Sequence, residues 1–185
     1  MELNSTFRRL PAEDQFERWA EQTDPGFKFA VTLARRVTSF GRVERVDAAA
    51  QAIGKLRDRL GPVRIKVLQA RDDGFLRLLL DSVEPGMRWA LDFRHDSWLD
   101  DDIQARLDER GVARVDAERG GADFRYFRLR NPPYAEADLA AEAARIRPLL
   151  EQGLDVFAYF QHEDEPTAPR YAERLLELVS GPSAG

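Results

Sequence analysis

Two histidines, a set of arginines and a few carboxylates are the groups in this chain that could do chemistry. His95 closes the run Asp92-Phe93-Arg94-His95, and His162 stands directly before Glu163 and Asp164. An imidazole changes charge near neutrality without a large perturbation, so each is a candidate general acid or base. With Asp92 or Asp164 the pair could also build a two-histidine, one-carboxylate metal face, although nothing in the spacing fixes their separation. A plainer role is open to both: hydrogen bonding to loop backbone, with residues 162–166 serving as the acidic start of a helix. His95, His162 and Asp92 are therefore the expected catalytic groups, and no metal ligand is assigned. Lys66, Arg94, Arg128 and Arg130 outnumber the nearby carboxylates Asp92 and Glu2. The planar guanidinium fork suits phosphate or carboxylate, so these four residues with Asn4 are the expected substrate-binding set. The ligand they imply is small and anionic, with a phosphorylated molecule as the leading example. The alternative is an internal lattice of ion pairs, Asp92 with Arg94 or Arg128.

Composition narrows the remaining choices. The chain has 185 residues, 43% of them hydrophobic and 33% charged, enough apolar material for one sizeable core. A single domain over residues 1–179 with a flexible tail at 180–185 is expected. The absence of cysteine excludes disulfides, thiolate metal sites and a cysteine nucleophile. A formal net charge of −5 argues against nucleic acid as partner. No run of apolar residues is long enough to span a membrane. Met1-Glu2-Leu3-Asn4 carries no signal-peptide pattern, which makes a cytoplasmic address the expectation. Dinucleotide, P-loop, zincin and hydrolase-elbow signatures are all missing, which leaves the cofactor unknown.

The elements that must position these groups alternate along the chain. Strand-like runs are Leu3–Phe7, Phe27–Val31, Val63–Leu68, Trp89–Phe93, Val112–Val115, Phe124–Leu129 and Leu154–Phe160. Helical spacing covers 13–22, 43–60, 73–83, 101–110, 135–150 and 166–179. Pro11 opens the first helix, Gly61-Pro62 closes the second, and Gly111 and Gly153 each end a helix ahead of a strand. Repeated strand–helix alternation predicts an α/β fold of parallel strands with right-handed crossovers. Side chains alternate along a strand, and the apolar members must face the helices. Arg64, Lys66, Ala90, Asp92, Arg94, Tyr126, Arg128 and Arg130 then share the other side. Most of the charged ones sit near strand C-terminal ends, where α/β folds place their ligands.

Several segments resemble one family. Glu2-Leu3-Asn4-Ser5-Thr6-Phe7, Phe27-Lys28-Phe29-Ala30-Val31, Asp92-Phe93-Arg94-His95-Asp96-Ser97-Trp98, Tyr126-Phe127-Arg128 and Tyr159-Phe160 are similar to the YecE-like family, also called domain of unknown function seventy-two. The most specific of these are Asn-Ser-Thr-Phe and Phe-Arg-His-x-Ser-Trp. The resemblance implies a TIM-type (β/α) barrel and transfers no reaction. It also implies departures: Thr32 stands where a lysine is usual, Ser39 where a histidine is, and Arg130 where another histidine is. A first family strand has no counterpart here, which leads to the expectation of an incomplete, seven-stranded barrel. Either Met1 occupies a normally internal position, or the chain is a short form with a gap between 3–7 and 154–160. A gap would expose strand edges and call for a second copy or another partner to cover them. Beside anion binding, two further functions stay open: a non-catalytic scaffold or partner-binding module, and a metal-assisted phosphodiester hydrolase.

Overall fold

The computed structural model describes residues 1–35, 43, 45–161 and 166–181. It is α/β, as expected, and its strands pair in parallel. The chain divides into two compact units, Met1–Val115 with Gly120–Ala122, and Asp116–Arg119 with Asp123–Gly185.

The first unit holds a five-stranded sheet in sequence order: β1 (Glu2–Leu3), β2 (Phe29–Thr32), β3 (Leu60–Val67), β4 (Trp89–Phe93) and β5 (Ala113–Arg114). Between them run α1 (Glu13–Glu21), α2 (Val46–Gly54), α3 (Asp73–Ser82) and α4 (Asp101–Asp108). The apolar stripes do the packing. Phe16 of α1, Ala49 and Ile53 of α2, Leu76 and Leu79 of α3, and Ile103 and Leu107 of α4 share a core with Val31, Ile65 and Leu91 of the sheet. Spacings of three and four residues put each set on one side of its helix. The Asp72 carboxylate caps α3, accepting the Phe75 N–H at 2.9 Å. Gly111 takes a φ of +62° after α4, letting Val112 N–H reach back to the Leu107 carbonyl at 3.0 Å.

Two expected boundaries are corrected by backbone chemistry. The strand expected over Leu3–Phe7 stops at Leu3, and Ser5–Phe7 forms a 3-10 turn. Thr6 drives the turn: its hydroxyl is within 2.5 Å of the Leu3 carbonyl and 2.7 Å of the Thr32 carbonyl, and it is buried. A threonine that bonds backbone locally competes with extended pairing. Gly61-Pro62 does not close a helix either. It lies inside β3, and α2 ends earlier, at Gly54. The pairing of β2 with β3 slips between Phe29↔Leu60 and Val31↔Val63, so one extra residue on β3 absorbs the proline that cannot donate. Gly61 is needed there because a Cβ would stand 3.2 Å from the Phe29 carbonyl oxygen.

The second unit pairs β6 (Phe124–Leu129) with β7 (Asp155–Phe160), joined by α5 (Glu136–Glu151) and followed by α6 (Ala168–Ser180). Phe127 and Leu129 face these helices with Val156, Ala158 and Phe160, which settles the face of β7 that alternation alone left open. On the opposite face Tyr126 and Tyr159 pack with ring centres 5.2 Å apart. Gly153, at φ +80°, repeats the turn made by Gly111, and Leu154 N–H reaches the Leu149 carbonyl at 3.1 Å. Ser180 is the last residue of α6, and 182–185 lie outside the described residues. No helix among the described residues is long and apolar enough to cross a membrane.

Candidate functional site

Register across the first four strands builds a polar cluster on the face away from the helices. Glu2 pairs with Ala30, Thr32 with Arg64, Arg64 with Ala90, and Lys66 with Asp92. Alternation therefore puts Glu2, Thr32, Arg64, Lys66 and Asp92 on one side of the sheet. Arg64 is the centre. Its Nη1 donates to Asp92 Oδ2 at 2.7 Å, its Nε lies 3.1 Å from Glu2 Oε1, and its Nη2 donates to Asn4 Oδ1 at 2.7 Å and Thr32 Oγ1 at 2.9 Å. Asn4 is held in turn, donating through Nδ2 to Glu2 Oε2 at 2.8 Å. Arg64 and Asp92 are each 3% exposed and the Glu2 side chain 6%.

A buried charge is tolerable only when its hydrogen-bonding capacity is met by partners. Arg64 meets that condition with two carboxylates and two neutral oxygens, and its donors are committed inside the protein. Asp92, expected to pair with Arg94 or Arg128, has Arg94 Nη1 at 3.4 Å from one oxygen and also accepts from Arg64 at 2.7 Å on the other. Thr32, read as the loss of a polar group, is a working member of the cluster.

The expected site residues are divided between the first unit, the second unit and the residues outside those described. Asn4, Lys66, Asp92 and Arg94 gather at the C-terminal ends of β1, β3 and β4. Lys66 places its ammonium 5.2 Å from the centre of the Phe7 ring. Arg94 follows β4, is 37% exposed at its side chain, and its guanidinium has one hydrogen-bond partner, Asp92, among the described residues. His95 is exposed and caps the 3-10 turn Asp96–Trp98, its Nδ1 accepting the Ser97 N–H at 3.2 Å. An Nδ1 that accepts carries no proton, so the neutral ring is the Nε2–H tautomer with its donor directed away from the turn. Arg128 and Arg130 belong to the second unit, where Asp116 organises them. Its Oδ1 accepts the Arg128 N–H at 2.7 Å and its Oδ2 the Arg130 Nη1 at 2.6 Å. Asp116 adopts φ +65°, a conformation that aspartate tolerates better than most residues. His162 lies outside the described residues, as does Ser39. No group of three or more His, Cys, Asp or Glu stands in metal-binding proximity among the described residues.

The segment that reads as Phe-Arg-His-x-Ser-Trp has a physical reason for most of its residues. Trp98 is fully buried, stacks on Phe93 at 4.8 Å, and donates its indole N–H to the Gln69 carbonyl at 2.8 Å. Ser97 Oγ accepts the Arg71 N–H at 2.8 Å. Together they clamp the loop after β3 to the loop after β4. Arg71 extends the clamp, reaching Asp100 at 2.7 Å and Asp102 at 2.5 Å, and Arg106 joins through Asp73 at 2.5 Å.

Hydrogen bonds from Arg71 hold the Asp73 and Asp102 carboxyls below their usual range. A carboxyl lowered by folding stabilises above its unfolded value, about 3.9, and loses that contribution as pH falls through the lowered folded value. The melting temperature should therefore fall as the pH drops below about 4, and Asp102→Asn should flatten that fall. Calorimetric melts of both proteins across the window check it; identical slopes would show that the clamp adds nothing.

A parallel sheet flanked by helices, with polar groups at strand C-terminal ends, defines an α/β protein. The family model described as Protein of unknown function DUF72 matches residues 1–184, and the chain belongs to this family. The fold is similar to the crystal structure of a DUF72 family protein from Enterococcus faecalis V583, with a TM-score of 0.83, 11% identity and coverage of 97% of this chain and 88% of that one. It is also similar to a DUF72 family protein from Thermotoga maritima MSB8, with a TM-score of 0.73, 18% identity and coverage of 97% and 84%. No curated protein matches the sequence.

Proposed function

We propose that the protein binds a small anion, a phosphate or carboxylate group of a larger molecule, beside the C-terminal ends of β3 and β4. The observation that carries this reading is the state of Arg94. Asp92 is turned towards Arg64, so Arg94 is left with one long contact at 3.4 Å and an exposed guanidinium. A planar fork anchored at one nitrogen keeps donors for two oxygens of an incoming anion. Lys66 adds a second positive charge on the same rim, and Asn4 helps hold the cluster that orients Asp92. His95, with its Nε2–H directed away from its turn, is the group that could donate a hydrogen bond to the bound molecule.

Titration calorimetry with inorganic phosphate and with pyrophosphate tests the reading. Arg94→Ala should weaken binding about tenfold or more, the scale of hydrogen bonds between charged groups. Arg94→Lys should recover only part of it, because a point charge does not replace the fork. Equal affinity in the wild type and Arg94→Ala would remove the proposal.

A further inference from the structure

The second unit has its own cavity. Helix α6 buries a single residue, Leu175, and the helix-facing residues of β7 are only half-buried. Between α5, α6 and β7 lies a cavity of about 220 Å³. Its walls include Ile146 and Leu150 from α5, Val156, Ala158 and Phe160 from β7, and Leu176 from α6. All are apolar, so water entering there would lack the two to four polar partners it needs. Leu150 and Leu176, 40% and 63% exposed, mark where the cavity meets solvent.

One cation stands at that opening. Arg147 lies three residues before Leu150, on the neighbouring turn of the same helix strip. Its Nη2 donates to the Leu178 carbonyl at 2.5 Å, next to Val179 of the cavity wall. That is its one side-chain hydrogen bond among the described residues, and a guanidinium has five N–H donors. An apolar slot with an exposed cation at its mouth is complementary to an alkyl chain ending in an anion.

We propose that this cavity binds a free aliphatic carboxylate, with its chain in the slot and its carboxylate on Arg147. A cavity of about 150 Å³ accommodates benzene, so scaling by volume gives a chain of about eight carbons.

Calorimetry on the whole chain with butanoate, hexanoate, octanoate and dodecanoate provides the test. Affinity should rise about fourfold per methylene up to octanoate, the increment for burying a CH₂, and level off beyond it. Arg147→Ala should weaken octanoate about fivefold and leave 1-octanol unchanged. Ala158→Leu and Ala172→Leu, which fill the slot, should each reduce octanoate binding more than tenfold. Arg94→Ala should leave the rise in affinity with chain length unchanged, which separates failure here from failure of the anion site. Affinity independent of chain length would overturn the proposal, as would folded Ala158→Leu and Ala172→Leu variants that bind octanoate normally. If neither variant folds, transferred nuclear Overhauser effects between octanoate and the Leu175 and Leu176 methyls decide: present, they support the site; absent, they refute it.

Discussion

Arg64→Met should destabilise the protein by about 3–5 kcal/mol at neutral pH, the usual consequence of removing one partner from a buried ion pair. The guanidinium joins Glu2, Asn4, Thr32 and Asp92. Without it, two nearly buried carboxylates lose a counter-charge, and a buried charge short of a partner is costly. Protonation removes that cost, so the variant should recover part of its loss at lower pH. A purely steric loss would show no such recovery. Adding Glu2→Gln and Asp92→Asn to Arg64→Met should restore most of the stability, because neutral partners need no counter-ion. Urea denaturation at pH 7.5 and pH 4.5 reads all of this. A loss below about 1 kcal/mol for Arg64→Met alone would mean that the cluster is not a buried ionic unit.

Trp98→Ala should be of comparable size, about 3–5 kcal/mol, because it empties a fully buried site and removes an indole hydrogen bond. The lost stack on Phe93 adds to the cavity. Trp98→Phe keeps a ring at that position and gives up the bond to the Gln69 carbonyl, so its loss should be the smaller of the two. The substitution should also reach His95. Trp98 closes the 3-10 turn whose Ser97 N–H holds the imidazole, and loosening the turn frees Nδ1. Nitrogen-15 spectra should show the Nε2–H tautomer in the wild type and a tautomeric mixture in Trp98→Ala. An unchanged tautomer together with a small stability loss would contradict the clamp.

How much of this could be read from the residues alone depends on how local each signal was. The helices were legible because their apolar positions recur at three and four, and Gly111 and Gly153 marked two ends that the positive φ values bear out. Strand faces were legible from alternation: Arg64, Lys66 and Asp92 do share a side. Gly61-Pro62 misled, since the pair that usually stops a helix here sits at a strand irregularity visible only in the pairing of β2 with β3. Leu3–Phe7 misled in a similar way, because the Thr32 carbonyl that helps turn Thr6 is far along the chain.

The candidate site was harder. Alternation supplied several cations for the rim but could not say which one Asp92 would choose. That choice is made by register between strands, which brings Asn4, Thr32, Arg64 and Asp92 together from four separate segments. Arg64 was assigned to the correct face yet passed over as a site residue for want of that register. Thr32 looked like a missing lysine and is a hydrogen-bonding partner instead. Asp116 carried no signal, since its role depends on a left-handed backbone conformation.

A crystal structure of the protein soaked in phosphate tests the central claim most directly. The account predicts phosphate within hydrogen-bond distance of the Arg94 fork, with Asp92 still held by Arg64 and His95 Nδ1 still on the Ser97 N–H. Arg64 parted from Glu2 and Asp92, or Arg94 turned onto another protein group with the anion bound only elsewhere, would contradict it.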